Sequence, residues 1–158
     1  MNQAELNTVL ADHAEWLATG GVSGVRADLS GADLWSASLQ RANLQNANLH
    51  GADLWGADLW GANLQGADLR GTDCDDANLC RTNLCGADLR GARLRGADLE
   101  RADLTGADLR AADMRRVDLR GAHLRAADMR GTYLQDANLW GADLRGADLT
   151  GVIGYTPQ

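Results

Sequence analysis

Residues 27–66 read ADLSG ADLWS ASLQR ANLQN ANLHG ADLWG ADLWG ANLQG, and the same five-residue pattern runs on without insertion or deletion to Gly151. With the middle residue of each unit taken as the centre, i, the centres fall at Leu29, Leu34, Leu39 and every fifth position to Leu149, which makes 25 consecutive units. Leu fills 22 of these centres, and the other three, Cys74, Met114 and Met129, are also apolar. Position i−2 is Ala, Thr or Val throughout. A period this strict decides the architecture before any local propensity does.

Neither regular helix nor flat strand accommodates the period. Five residues of α-helix advance about 500°, so successive leucines would lie roughly 140° apart and wander over every side. On a flat strand, side chains alternate with period 2, and an odd repeat throws successive leucines to opposite faces. Within one unit, however, i−2 and i share one side while i−1 and i+1 share the other. All the Ala and Leu side chains therefore point inward if the chain turns a corner once per unit, near i+2. Gly holds most of the i+2 positions, as a tight corner favours.

The units from Ala27 to Gly151 closely resemble the pentapeptide-repeat family, and the resemblance covers about four-fifths of the chain. It implies an all-β fold, a right-handed quadrilateral β-helix of about six coils with twenty residues per coil. The inward and outward assignment follows from the periodicity; the handedness and the number of sides come from the resemblance. Three segments result: residues 1–26 as an N-terminal capping helix and connector, 27–151 as the β-helix, and 152–158 as a C-terminal tail.

Residues 2–17, NQAELNTVLADHAEWL, carry apolar groups at helical spacing, with Asn2 as N-cap and Glu5 three residues on. They predict one amphipathic helix. The first coil of a solenoid exposes its leucines and its unpaired backbone edge, and this helix is the expected cover, with Trp16 and Leu17 on the leucines of the first coil. At the other end, VIGYTPQ follows Gly151, with Gly154 where a central Leu is due. Either Ile153 and Tyr155 fold over the opening or two molecules meet there; a homodimer through the C-terminal coils is the expectation.

The formal net charge is −7, and every basic residue is Arg. Residues 1–80 carry 11 acids against Arg26, Arg41 and Arg70, a balance of −8, whereas residues 81–158 carry 11 acids against 12 Arg, a balance of +1. An acidic chain lacks the basic footprint of direct nucleic-acid binding. No apolar run reaches the ~18 residues of a membrane span, and three cysteines, Cys74, Cys80 and Cys85, form no even framework. No membrane association and a cytoplasmic location are expected.

Stacking positions twenty apart sorts the outward residues into columns. Side one places Arg70, Arg90, Arg110 and Arg130 beside Asp68, Asp88, Asp108 and Asp128, a ladder that compensates itself. Side two changes character along its length. Trp35 and Trp55, with Asp33, Asp53 and Asp73, occupy its first half; Arg93, Arg95, Arg115 and Arg116 gather in the second. Trp35 and Trp55 are expected to stack one coil apart, with Trp60 round the corner. Exposed Trp rimmed by Asp suits protein recognition, so Trp35, Trp55, Trp60, Asp33, Asp53, Asp73, Arg95 and Arg115 are the candidate partner-binding residues.

The residues offer no catalytic constellation. His13, His50 and His123 fall on the cap, side one and side four, too scattered for a metal or proton relay. Asp and Asn at i−1 are explained by hydrogen bonds to the local backbone and along the coils rather than by calcium. No cofactor is expected. The sequence thus reads as a non-enzymatic rod of bacterial type, either an interaction scaffold that presents side two to another protein or a chiefly structural one with no dedicated partner. The family resemblance adds an alternative: some members mimic duplex DNA and bind type II topoisomerases, DNA gyrase among them, altering quinolone sensitivity. The acidic first half fits that alternative; the Arg-rich second half fits it poorly.

Overall fold

Four units complete one turn of the chain. The computed structural model describes residues 1–155, and in it every pairing between coils is parallel and joins residues twenty apart, such as Asp53 with Asp73. The backbone bonds repeat with the same period. The Leu54 N–H donates to the Asp73 carbonyl at 2.7 Å, the Gly56 N–H to Asp75 at 3.0 Å, and the Asp53 N–H to Ala32 at 2.9 Å. Pairing on each side is confined to the i−1 residue, because the chain bends again before a longer strand can form.

The bend is a four-residue turn closed by the N–H of the next unit, as in Ala57 to the Leu54 carbonyl at 2.9 Å. Its third residue takes positive φ, between 52° and 72° at all 25 corners. That conformation is open to Gly without penalty and costs an L-residue about 1–2 kcal/mol. Ten corners are nonetheless not Gly, among them Arg41, Asp76, Arg81 and Arg116. The repeat as a whole therefore tolerates local strain at single corners.

The interior is what the period demands. From Leu29 to Leu134 every centre is at most 2% exposed, including Leu54, Leu79 and Leu104, and most i−2 alanines are buried with them. Burying a Leu side chain contributes about 1.5–3 kcal/mol, which is offset mainly by the ordering of the chain. Where i−2 is Thr, the buried hydroxyl donates back to the preceding centre carbonyl: Thr72 to Leu69 at 2.8 Å, Thr82 to Leu79 at 2.6 Å. No buried hydroxyl is stranded at these two sites.

The helix α1, Gln3–Ala18, caps the first coil. Asn2 accepts the Glu5 N–H at 2.9 Å while Glu5 accepts the Asn2 N–H at 3.0 Å, the reciprocal pair that the sequence predicts. The helix ends in a turn in which the Gly21 N–H reaches the Trp16 carbonyl and the Gly20 N–H reaches Leu17. Leu6 is buried, and Val9 and Leu10 pack against the core beside it. Trp16 and Leu17 do not serve as the cover. Leu17 shares the stripe but lies roughly 16 Å along the axis from Leu6 and packs outside the core cluster. Trp16 turns sideways and stacks on His13, with ring centroids 5.7 Å apart.

His13 is the polar clasp of the cap. It is fully buried, and its Nδ1 accepts the N–H of Ala27, the first repeat residue, at 3.1 Å. Burial holds its pKa below the usual imidazole range. Behind it the connector passes so close to the helix that a Cβ at Gly24 would meet the Asp12 carbonyl and the Trp16 nitrogen at 2.4 Å. Only glycine fits there.

At the far end Ile153 does not fold over the opening. It pairs with Tyr133 and extends the outer ladder of side two, and its side chain is exposed. Tyr155 packs partly against the core, while Leu139, Leu144 and Leu149 are only half-buried. The tail expected at 152–158 is described through Tyr155; Thr156, Pro157 and Gln158 lie outside the described residues.

Candidate interaction surface

Outward side chains at i−1 and i+1 form tiles that repeat at the inter-strand spacing of about 4.8 Å. The i−1 carboxylate or amide turns back to accept the N–H of its own i+1 residue, as Asp53 does from Trp55 at 3.0 Å and Asp33 from Trp35 at 3.2 Å. Amides also reach along the column, Asn48 to Asp28 at 2.9 Å and Asn78 to Asp58 at 2.9 Å. This is the local role expected of Asp and Asn, and where i−1 is Asp or Asn it orients the i+1 residue beside it.

On side two, the Trp35 and Trp55 rings stack one coil apart as expected, centroids 5.8 Å apart and planes within 6°. Both remain on the surface, Trp35 at 60% exposure and Trp55 at 40%. Trp60 lies round the corner, and the Arg41 guanidinium carbon sits 4.9 Å from its ring centroid. That cation–π pair is invisible to the column analysis, because Arg41 is a corner residue and its left-handed backbone aims it along the wall. An Arg at a corner one coil below an i+1 Trp of the same side is the signal that could have found it.

Above the tryptophans the face becomes an ion-pair lattice. Asp75 is only 4% exposed, which its i+1 position does not suggest. Arg95 lies over it, Nε to carboxylate at 2.9 Å, and Arg93 approaches at 2.7 Å while also holding Asp73 at 3.0 Å. Burial alone would raise the Asp75 pKa, but the Arg95 side chain and N–H together with Arg93 outweigh it and hold the carboxyl below its usual range. Arg115 pairs with Asp113. A groove of about 480 Å³ runs through this region, lined by Trp55, Asp75, Arg93, Arg95, Arg115 and Arg116 among others. The candidate residues thus divide: Trp35, Trp55, Asp33 and Asp53 form one tile, Asp73, Arg95 and Arg115 belong to the lattice, and Trp60 faces another side.

Side one is the self-compensating ladder the sequence predicts. Arg90 pairs with Asp88 at 2.6 Å and reaches Asp108 at 3.5 Å, and Arg110 repeats the pattern with Asp108 and Asp128. Each arginine is about two-fifths exposed, so the network sits in water-like surroundings and adds little stability. Among the described residues no group of His, Cys, Asp and Glu is placed to hold a metal. All three cysteines are free; Cys74 is buried, and its thiol pKa is pushed up to about 12 by desolvation. Among the described residues no helix is long and apolar enough to cross a membrane.

No curated protein sequence matches the chain. Among solved structures it is similar to HetL, a pentapeptide-repeat protein involved in heterocyst differentiation regulation from the cyanobacterium Nostoc sp. strain PCC 7120, at 37% identity and a TM-score of 0.55. That match covers 84% of this chain and 65% of HetL, so the chain spans just under two thirds of its relative. It is also similar to QnrB1, a plasmid-mediated fluoroquinolone resistance protein, at 22% identity and a TM-score of 0.40, covering 80% of this chain and 62% of that one. A pentapeptide-repeat protein from the Arabidopsis thaliana thylakoid lumen matches at 26% identity and a TM-score of 0.36, covering 81% and 68%. The family profile of pentapeptide repeats matches in eight copies across residues 25–61, 47–84, 72–110, 86–121 and 112–151. With the twenty-residue register and the stacked leucine interior, this match establishes that the chain belongs to the pentapeptide-repeat family.

Proposed function

We propose that the chain is a non-enzymatic, rigid interaction rod: a right-handed β-helix of about six coils that holds side two in fixed register for another protein. The observation that carries this is the Trp35–Trp55 stack, two large aromatic rings held in register one coil apart on the surface of side two. The partner surface comprises Trp35, Trp55, Trp60, Asp33, Asp53 and Asp73, with Arg95 and Arg115 farther along. HetL is involved in regulation of differentiation; a bacterial, cytoplasmic regulatory scaffold is the corresponding role here. Changing Trp35, Trp55 and Trp60 to Gln is expected to leave the circular-dichroism spectrum and melting unchanged and to abolish capture of a native partner. Undiminished capture by the folded variant rejects the site.

A second reading rests on the charge asymmetry. The −8 balance of residues 1–80 against +1 beyond them supports a DNA-mimic role in which the acidic half engages a type II topoisomerase such as DNA gyrase. It requires that the purified protein inhibit supercoiling or protect gyrase from a quinolone; a scaffold does neither. We also propose that two copies meet through the C-terminal coils. Support comes from half-buried Leu139, Leu144 and Leu149 and from a pocket of about 450 Å³ bordered by Trp140 and Tyr155. Sedimentation at micromolar concentration is expected to give twice the chain mass, and a monomer removes the dimer.

A further inference from the structure

We propose that the tile formed by Trp35, Trp55, Asp33 and Asp53 is a receptor for arginine side chains on a basic segment of a partner protein. This rests on the rod being an interaction surface and narrows that role to one chemistry.

Every outward tile of side two uses the same backbone, but the tiles are completed differently. In the upper coils the chain supplies its own guanidinium groups: Asp73 holds Arg93, Asp75 holds Arg93 and Arg95, and Asp113 holds Arg115. In the lower coils Asp33 and Asp53 each spend one oxygen on the main-chain N–H of Trp35 or Trp55 and make no ion pair among the described residues. The Met1 ammonium comes near, but it donates to the Asp33 carbonyl and not to the carboxylate. Round the corner, where a Trp does meet an Arg of the same chain, the pair forms: Arg41 lies over Trp60. Both halves of an arginine site, guanidinium on carboxylate and guanidinium on indole, are therefore made elsewhere on this solenoid. The Trp35–Trp55 tile carries both receptors, in register on adjacent coils, without the arginine.

The chemistry favours arginine over lysine. A planar guanidinium can lie on the open face of Trp35 and still direct N–H groups in its own plane toward a carboxylate two residues away. An ammonium is a compact, more strongly hydrated point charge and loses more hydration to make the same two contacts. The tile is open rather than a cavity and each such contact is weak alone, so useful affinity needs several arginines in one segment. The surrounding −8 half attracts such a segment and disfavours nucleic acid.

The test uses the full chain and three labelled eight-residue peptides that alternate Gly with Arg, Lys or citrulline, followed by fluorescence anisotropy and Trp quenching at low salt. The Arg peptide is expected to bind about fivefold or more tightly than the Lys peptide, and the citrulline peptide not to bind. Trp35→Gln with Trp55→Gln is expected to weaken the Arg peptide about tenfold and erase its advantage over Lys, in proteins whose melting is unchanged. Asp33→Asn with Asp53→Asn weakens both peptides, and Asp98→Asn on side three weakens neither. Equal binding of Arg and Lys peptides, or Arg binding indifferent to the Trp changes, overturns the receptor. If the peptides fail while a photo-cross-linker at position 135 still captures a native protein, the arginine receptor falls and the interaction rod stands. If both fail, both fall.

Discussion

Lowering the pH from 7.5 to 5.0 is predicted to loosen the N-terminal cap through His13 alone. The ring is fully buried, its Nδ1 accepts the Ala27 N–H, and its Nε2 makes no hydrogen bond of normal geometry; the nearby Gln45 backbone favours the charged form, but burial outweighs it. Protonation would convert the accepting nitrogen to a donor facing a donor and place a charge beneath the helix, beside Arg26. The folded pKa is depressed, so the unfolded chain takes up the proton first. The stabilisation is complete above the unfolded value of about 6.5 and is lost as pH falls through the folded value. Each pH unit below about 6.5 through which folded His13 stays neutral removes about 1.4 kcal/mol, so the limit at pH 5.0 is about 2 kcal/mol. For a chain of this size that corresponds to a melting shift of roughly 4–8 °C. Urea denaturation and hydrogen exchange at the Ala27 amide, compared at the two pH values, measure it. His13→Gln keeps an acceptor for Ala27 without a titratable group and is expected to flatten the dependence between pH 6.5 and 5. Parallel loss in both proteins would show that another group titrates.

Three further outcomes are expected. Leu84→Ala, at a fully buried centre, should cost about 3 kcal/mol by urea denaturation, since stacked coils cannot collapse onto the void; a loss under about 1 kcal/mol would mean a loosely filled interior. Gly86 and Gly24 both have positive φ, but a Cβ at Gly86 meets nothing whereas one at Gly24 meets helix backbone at 2.4 Å. Gly86→Ala should therefore cost about 1 kcal/mol, while Gly24→Ala should cost more and expose the Ala27 amide to exchange. On side one, Arg90 and Arg110 hold Asp88 and Asp108 below the usual carboxylate range. Their contribution is present above the unfolded value near 3.9 and lost as pH falls through the folded value. A thermal-stability profile should thus show an acid limb below about pH 4, separate from that of His13 and reduced by added salt.

The sequence by itself determined the interior and the wall. A strict five-residue period with Leu at i and Ala at i−2 leaves one way to bury every aliphatic group, so Leu54, Leu79 and Leu104 could be placed inside and Trp35 stacked on Trp55 without coordinates. The capping box of Asn2 and Glu5 was equally legible, because it depends on residues three apart. Contacts between groups distant in sequence, or aimed by an unusual backbone, were decided only by the tertiary structure. Trp16 was expected on the first coil, but the length of α1 carries it past the packed stripe and onto His13. Asp75 looked exposed until Arg93 and Arg95, one coil up, closed over it, and Arg41 found Trp60 only because a left-handed corner turns its side chain along the wall. Periodicity specifies which side of the chain a residue faces; which long side chain covers its neighbour depends on rotamers and corner geometry that a repeat pattern does not encode.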